Sequence, residues 1–178
     1  FNPTVDRIRI TSNLGQNLRA NPTSGVTIQD GTLNGSPNPH IVAAAYTNND
    51  SDPMTSTTLY TLDSNSNMLN TQVPPNNGTQ VVVGALGTDF TALAGLDILT
   101  SGTNNVAFAA LQANGTQGSG FYSVNLATGA ATLIGGIGVN QTGDVLAIRD
   151  IALNPVPEPA SMAILALGVG ALLRKRRR

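Results

Sequence analysis

Before Ala160 no stretch keeps a helical period, whereas short runs of alternating apolar and polar residues recur between turn-forming clusters. Asp6-Arg7-Ile8-Arg9-Ile10 puts two arginines on one face and two isoleucines on the other. Further strands are predicted at residues 41–46, 58–62, 68–72, 80–86, 93–99, 105–111, 120–126, 130–137 and 145–153. Turn clusters separate them, among them Asn76-Asn77-Gly78, Asn104-Asn105 and Ala127-Thr128-Gly129. Abundant Asn, Thr, Ser and Gly suits such turns and disfavours helices. Short antiparallel strands at this spacing predict an all-β sandwich, barrel or propeller.

A weak repeat selects among these. Asn17-Leu18-Arg19-Ala20-Asn21-Pro22-Thr23-Ser24-Gly25 can be laid on Phe121-Tyr122-Ser123-Val124-Asn125-Leu126-Ala127-Thr128-Gly129 and on the stretch from Leu59 to Asn67. Each reads as a strand, an Asn or Asp whose side chain closes a turn, then a second strand. Asn21, Asp63 and Asn125 stand 42 and 62 residues apart, comparable to a propeller blade of about 40–50 residues with one insertion. The clearest unit, residues 93–137, has four strands, an Asn-Asn turn, a glycine-rich loop at 114–120 and a final hairpin. Residues 145–153 would open another blade or complete one. The expected fold is therefore all-β, with partial β-propeller-like repeats over residues 1–153, followed by one hydrophobic C-terminal helix.

The tail has a different character. Val156-Pro157-Glu158-Pro159 is followed by an apolar run from Ala160 to Leu173 and then Arg174-Lys175-Arg176-Arg177-Arg178. The run holds 14 residues. As a helix it spans about 21 Å, short of a bilayer core of about 30 Å. Snorkelling arginines and local thinning close part of the gap. Ala160, Ile164, Leu165, Leu167, Leu172 and Leu173 would face lipid, and the cations would keep their end on the cytoplasmic side. The body would then lie across the membrane, outside the cytoplasm.

These ordered elements, residues 154–159 as linker and 160–178 as anchor with a basic stop, resemble the PEP-CTERM sorting signal of Gram-negative bacteria. The resemblance implies export, recognition by the membrane-embedded cysteine transpeptidase exosortase, and cleavage near Pro157-Glu158-Pro159. Release to the cell surface or an extracellular polysaccharide matrix would follow. Val156, Pro157, Glu158 and Pro159 are then a substrate motif for another enzyme. The stretches Phe1-Asn2-Pro3-Thr4-Val5-Asp6-Arg7-Ile8-Arg9, Gly15-Gln16-Asn17-Leu18-Arg19-Ala20-Asn21-Pro22, Ala43-Ala44-Ala45-Tyr46-Thr47-Asn48-Asn49 and Thr58-Leu59-Tyr60 resemble a bacterial family of secreted, propeller-like domains without established activity. That resemblance covers residues 1–153 as the later portion of the family's domain. A start at Phe1 without a hydrophobic leader leads us to expect an upstream part carrying an export signal.

Charge excludes one class of partner. Outside the tail, four arginines (Arg7, Arg9, Arg19, Arg149) face nine aspartates, giving a body near −5 within a chain of formal charge −1. An acidic body is ill suited to nucleic acid, whose phosphates need a cationic face. The absence of cysteine excludes disulfides, thiolate metal sites and a cysteine nucleophile.

The remaining constellations read mainly as structure. His40 is the only histidine, so a triad or two-histidine metal site would need carboxylates to supply the rest; it is expected to cap the strand entry at Ile41. Asp63-Ser64-Asn65-Ser66-Asn67 has the first three ligand positions of an EF-hand loop, but Met68 and Pro74 stand where glycine and glutamate are required, so a tight turn is expected. Asn48-Asn49-Asp50-Ser51-Asp52 clusters oxygen donors that a hard cation could use, a solvated loop being the plainer reading. Asp6 with Arg7, Arg9 and Arg19 forms either an anion or sugar-acid site or a structural ion pair. Asp97, Asp144 and Asp150 could supply the paired carboxylates of a glycosidase. The Asn-x-Ser/Thr sites at Asn34, Asn77, Asn114 and Asn140 read as turn signals. No cofactor is expected. The leading expectation is a non-enzymatic structural or adhesive surface protein, and the alternative is a secreted glycan-active enzyme or glycan-binding module using aspartates on the propeller face.

Overall fold

The computed structural model describes residues 1–35, 38–49, 52, 54–138 and 145–154. Three antiparallel sheets follow one another along the chain. The first joins β1 (Ile8–Thr11), β2 (Asn17–Ala20) and β3 (Thr27–Gln29). The second joins β4 (Ile41–Tyr46), β5 (Leu59–Asp63), β6 (Met68–Gln72) and β7 (Gln80–Ala85). The third joins β8 (Phe90–Ser101), β9 (Asn104–Ala113), β10 (Gly120–Val124) and β11 (Ala131–Gly136). Each sheet is a meander in which sequence neighbours pair, and the first strands adjoin in space, β1 against β4 and β4 against β8.

The aspartate–asparagine frame read from the sequence holds in all three sheets. Asn21 Oδ1 accepts the N–H groups of Thr23 and Ser24, both at 2.9 Å. Asn125 Oδ1 accepts those of Ala127 at 2.9 Å and Thr128 at 3.2 Å. Asp63 Oδ1 accepts that of Asn65 at 2.9 Å. Four residues after each of these acids or amides the chain turns left-handed, at Gly25 (φ 71°), Gly129 (φ 82°) and Asn67 (φ 57°). Glycine and asparagine are the residues that enter this region at least cost. The turns therefore close β2 on β3, β5 on β6 and β10 on β11 by one device.

The two seams between sheets differ in chemistry. Sheets two and three meet through an apolar layer with Ala43, Ala45, Leu62 and Leu69 on one side and Ala94, Leu96, Ile98, Ala107, Ala109 and Leu111 on the other. Cross-strand partners alternate small with large, Ala94 with Leu111, Leu96 with Ala109 and Ile98 with Ala107, which lets the sheets interdigitate at native density. The seam between sheets one and two is polar, and Asn17, Thr61, Gln72 and Gln80 are all buried.

Three local expectations are corrected. Residues 145–153 form no named strand: the Ile148 N–H goes to Ser119 Oγ at 2.9 Å and the Leu153 N–H to Asp97 Oδ2 at 2.7 Å. Side chains take these two N–H groups, while the Leu146 carbonyl accepts the backbone N–H of Ser119 at 2.9 Å. This strap lies so close over β8 that a Cβ on Gly95 would sit 2.6 Å from Asp150 Cα. The turn expected at Asn104-Asn105 falls on Gly102 and Thr103, because Gly102 takes φ 60° between the paired Ser101 and Asn104, as a two-residue hairpin loop prefers. Asp6 leaves the alternation and sits in a turn at φ 48°, so β1 begins at Ile8. The predicted helix from Ala160 to Leu173 lies outside the described residues. Among the described residues no helix is long and apolar enough to cross a membrane.

Candidate functional site

Two adjoining clefts open where β4 and β8 begin. One, of about 470 Å³, is lined by Asn38, His40, Ser64, Asn65, Phe90, Thr91, Ala92 and Asn114. The other, of about 270 Å³, is lined by Thr11, Ser12, Asn13, Ile41, Val42, Ala92 and Arg149. Ala92 belongs to both walls, and a 3.0 Å contact between Asn13 Nδ2 and His40 Nε2 links the two. His40 sits at the entry to β4, as expected. Its backbone N–H is held by Asp63 Oδ1 at 3.1 Å, and its carbonyl accepts the Ser64 N–H at 3.0 Å.

The imidazole bridges the two clefts, with Nε2 3.0 Å from Asn13 Nδ2 and Nδ1 2.7 Å from Ser64 Oγ. Asp63 Oδ1 is committed to the backbone N–H groups of His40 and Asn65 and does not orient the ring. The walls carry amides, hydroxyls and the imidazole beside the apolar Ile41, Val42, Phe90 and Ala92, with the Arg149 guanidinium at the smaller cleft.

The expected arginine cluster is present with a different acid. Asp30, not Asp6, joins Arg9 at 2.6 Å and Arg19 at 2.7 Å, and Arg19 NH2 adds a second bond of 2.8 Å to Oδ1. Arg9 also donates to Asn17 Oδ1 and Asn76 Oδ1, each at 2.8 Å. Side chains of Arg9 and Asp30 are 5% and 6% exposed, so this pair is shielded from solvent, while Arg19 is 26% exposed. From Asn17 the chain of bonds continues through Gln72 (3.2 Å) and Gln80 (3.0 Å) to Thr61 (2.6 Å). The cluster is the spine of the polar seam. Arg7 is not part of it; its guanidinium donates to the carbonyls of Val5 and Asp6. Burial pushes the Asp30 carboxyl up, but the hydrogen bonds from Arg19 and Arg9 outweigh it and hold it below the ordinary value of 3.8.

Other predicted donors are also used internally. Asn48 donates to Ser56 O (2.6 Å), and its Oδ1 accepts from Asn105 (2.8 Å), while Asn49 reaches Ile98 O (3.2 Å). Asn48 and Asn49 are thereby tied to β9 and β8. Asp52 Oδ1 accepts the Met54 N–H at 2.9 Å; Asp50 lies outside the described residues. Asp97 spends its oxygens on the N–H groups of Ile98 and Leu153, and Asp150 Oδ1 takes that of Ile151. Asp144 lies outside the described residues. Among the described residues no three His, Cys, Asp or Glu gather as metal ligands.

Residues 1–152 match the family described as a domain of unknown function, DUF4394. The chain belongs to that family. Residues 155–178 match the PEP-CTERM protein-sorting motif, which covers Val156, Pro157, Glu158 and Pro159, the apolar run and the basic stop from Arg174 to Arg178. These tail residues lie outside the described structure, so the match and not the coordinates carries them. The motif marks an exported DUF4394 protein processed at the membrane by exosortase. No curated protein and no solved structure matches the chain. The family description names no reaction.

Proposed function

We propose that the chain is a non-catalytic surface protein, anchored in the inner membrane by its tail until exosortase cuts near Pro157-Glu158-Pro159. The body then remains in the extracellular polysaccharide as a structural or adhesive, glycan-holding module. The observation that carries this reading is the sorting motif on residues 155–178 behind a β-body whose cleft presents the amides and hydroxyls of Asn38, Ser64, Asn65, Thr91 and Asn114. A propeller-like arrangement is supported by three meanders whose first strands adjoin in sequence order.

The test is retention. Wild-type protein and the Asn65→Leu variant, which removes an exposed amide from the cleft wall without touching the core, are each added to the producing organism's purified polysaccharide. The wild type is expected to co-sediment at least about tenfold more strongly, the worth of a lost hydrogen-bond network of roughly 1.4 kcal/mol. Equal sedimentation of the two, or release of sugar fragments by the wild type, sinks the proposal.

A further inference from the structure

We infer that the β5–β6 hairpin holds a hard metal cation, bound by Asp63 Oδ2, Ser66 Oγ and Asn70 Oδ1. Buried side-chain atoms without a partner occur, among the described residues, only at Asp63 Oδ2, Ser66 Oγ and the two amide atoms of Asn70. All belong to one hairpin, and Asp63 and Asn70 are both 0% exposed. The surrounding seam is otherwise closely satisfied, as the unbroken run from Thr61 through Gln80 and Gln72 to Asn17 shows. The unpaired atoms lie on the two strands and the turn of a single hairpin.

Register brings them together. Thr61 pairs with Asn70 and Asp63 with Met68, so Asp63 and Asn70 share a face as diagonal neighbours about 7–8 Å apart at Cα. Two carboxylate- or amide-length side chains can meet an ion between them at that spacing. Ser66 lies in the turn that joins the strands, within the loop Asp63 itself closes.

Charge decides between an ion and a water molecule. A buried carboxylate without a cation costs several kcal/mol, and the ion pairs found among the described residues both go to Asp30. Water would supply hydrogen bonds but no positive charge. Three oxygen donors select sodium or calcium over softer metals, and both are plentiful outside the cell. Because Asp63 Oδ1 also fixes the His40 backbone, the ion would stiffen one wall of the cleft. The inference does not depend on the cleft binding anything.

The full chain in detergent, stripped with chelator and kept in choline buffer, is melted with added sodium chloride, with added calcium chloride, or with neither. One of the two metals is expected to raise Tm by roughly 5–10 °C at a hundredfold excess over its Kd, and the arm that responds names the ion. Asp63→Asn should abolish the shift. Ser66→Ala, which keeps the turn and removes one ligand, should need about tenfold more metal for half the effect. No shift in the wild type with either salt, or an equal shift in Asp63→Asn, overturns the inference. If Asp63→Asn does not fold, an unchanged metal response in Ser66→Ala does so.

Discussion

Asp30→Ala is expected to destabilise the protein by about 3–5 kcal/mol, read as a fall in the denaturant midpoint with unchanged slope. The removed carboxylate faces two guanidinium groups, and Arg9 cannot return to water because it is 5% exposed. The variant keeps a buried cation whose remaining acceptors are the neutral oxygens of Asn17, Asn76 and Tyr46. Leaving a charge unpaired costs more than the pair ever contributed. The same carboxyl sets an acid limit. Its folded pKa lies below the ordinary 3.8, so its contribution is fully present above the unfolded value. It is lost as pH falls through the depressed folded value, and it does not depend on pH between about 5 and 8. Asp30→Ala should therefore flatten the part of the stability profile below about pH 4. A loss under about 1 kcal/mol would mean that the seam is wet and the ion pairs screened.

The second large effect is expected from Gly129→Ala, about 2–4 kcal/mol, against about 1 kcal/mol for Gly25→Ala. Both glycines occupy the left-handed position of the same turn, at φ 82° and 71°. They differ in what lies beyond. A Cβ at Gly25 meets nothing within 4 Å, whereas one at Gly129 would lie 2.5 Å from the Gly84 carbonyl oxygen of β7. The Gly25 variant measures backbone strain alone, and the difference between the two measures the backbone contact that locks sheet three onto sheet two. Thermal or urea denaturation of both variants reads it directly. Equal losses would show that this seam gives way without cost.

What the sequence disclosed depended on how local the cause was. β4 and β6 match their predicted limits because alternation and flanking turns bound them. The turns at Asn21, Asp63 and Asn125 were legible because an Asx side chain closes a turn with its own neighbours. Asp30 was missed, since its importance arises only when Arg9 and Arg19 pair across β1 and β2. Gln72 and Gln80 were equally silent: polar residues in a strand read as solvent-facing, and only the polar seam makes them interior. Residues 145–153 misled for the converse reason, having the apolar spacing of a strand while their N–H groups go to Ser119 and Asp97. The cleft was half visible. His40 was singled out, but Asn13, Ser64 and Asn114 reach it from three separate loops.

The sorting tail is where residue order alone spoke most plainly, and it bears the central claim that this body works outside the cell after losing its anchor. Intact-mass measurement of the protein recovered from cells with exosortase and from cells lacking it tests that claim. Cells with the enzyme should yield a chain ending near Pro157-Glu158-Pro159, and cells without it a membrane-bound chain still ending at Arg178. Full-length protein ending at Arg178 in both, or recovered from the cytosol, would contradict the account.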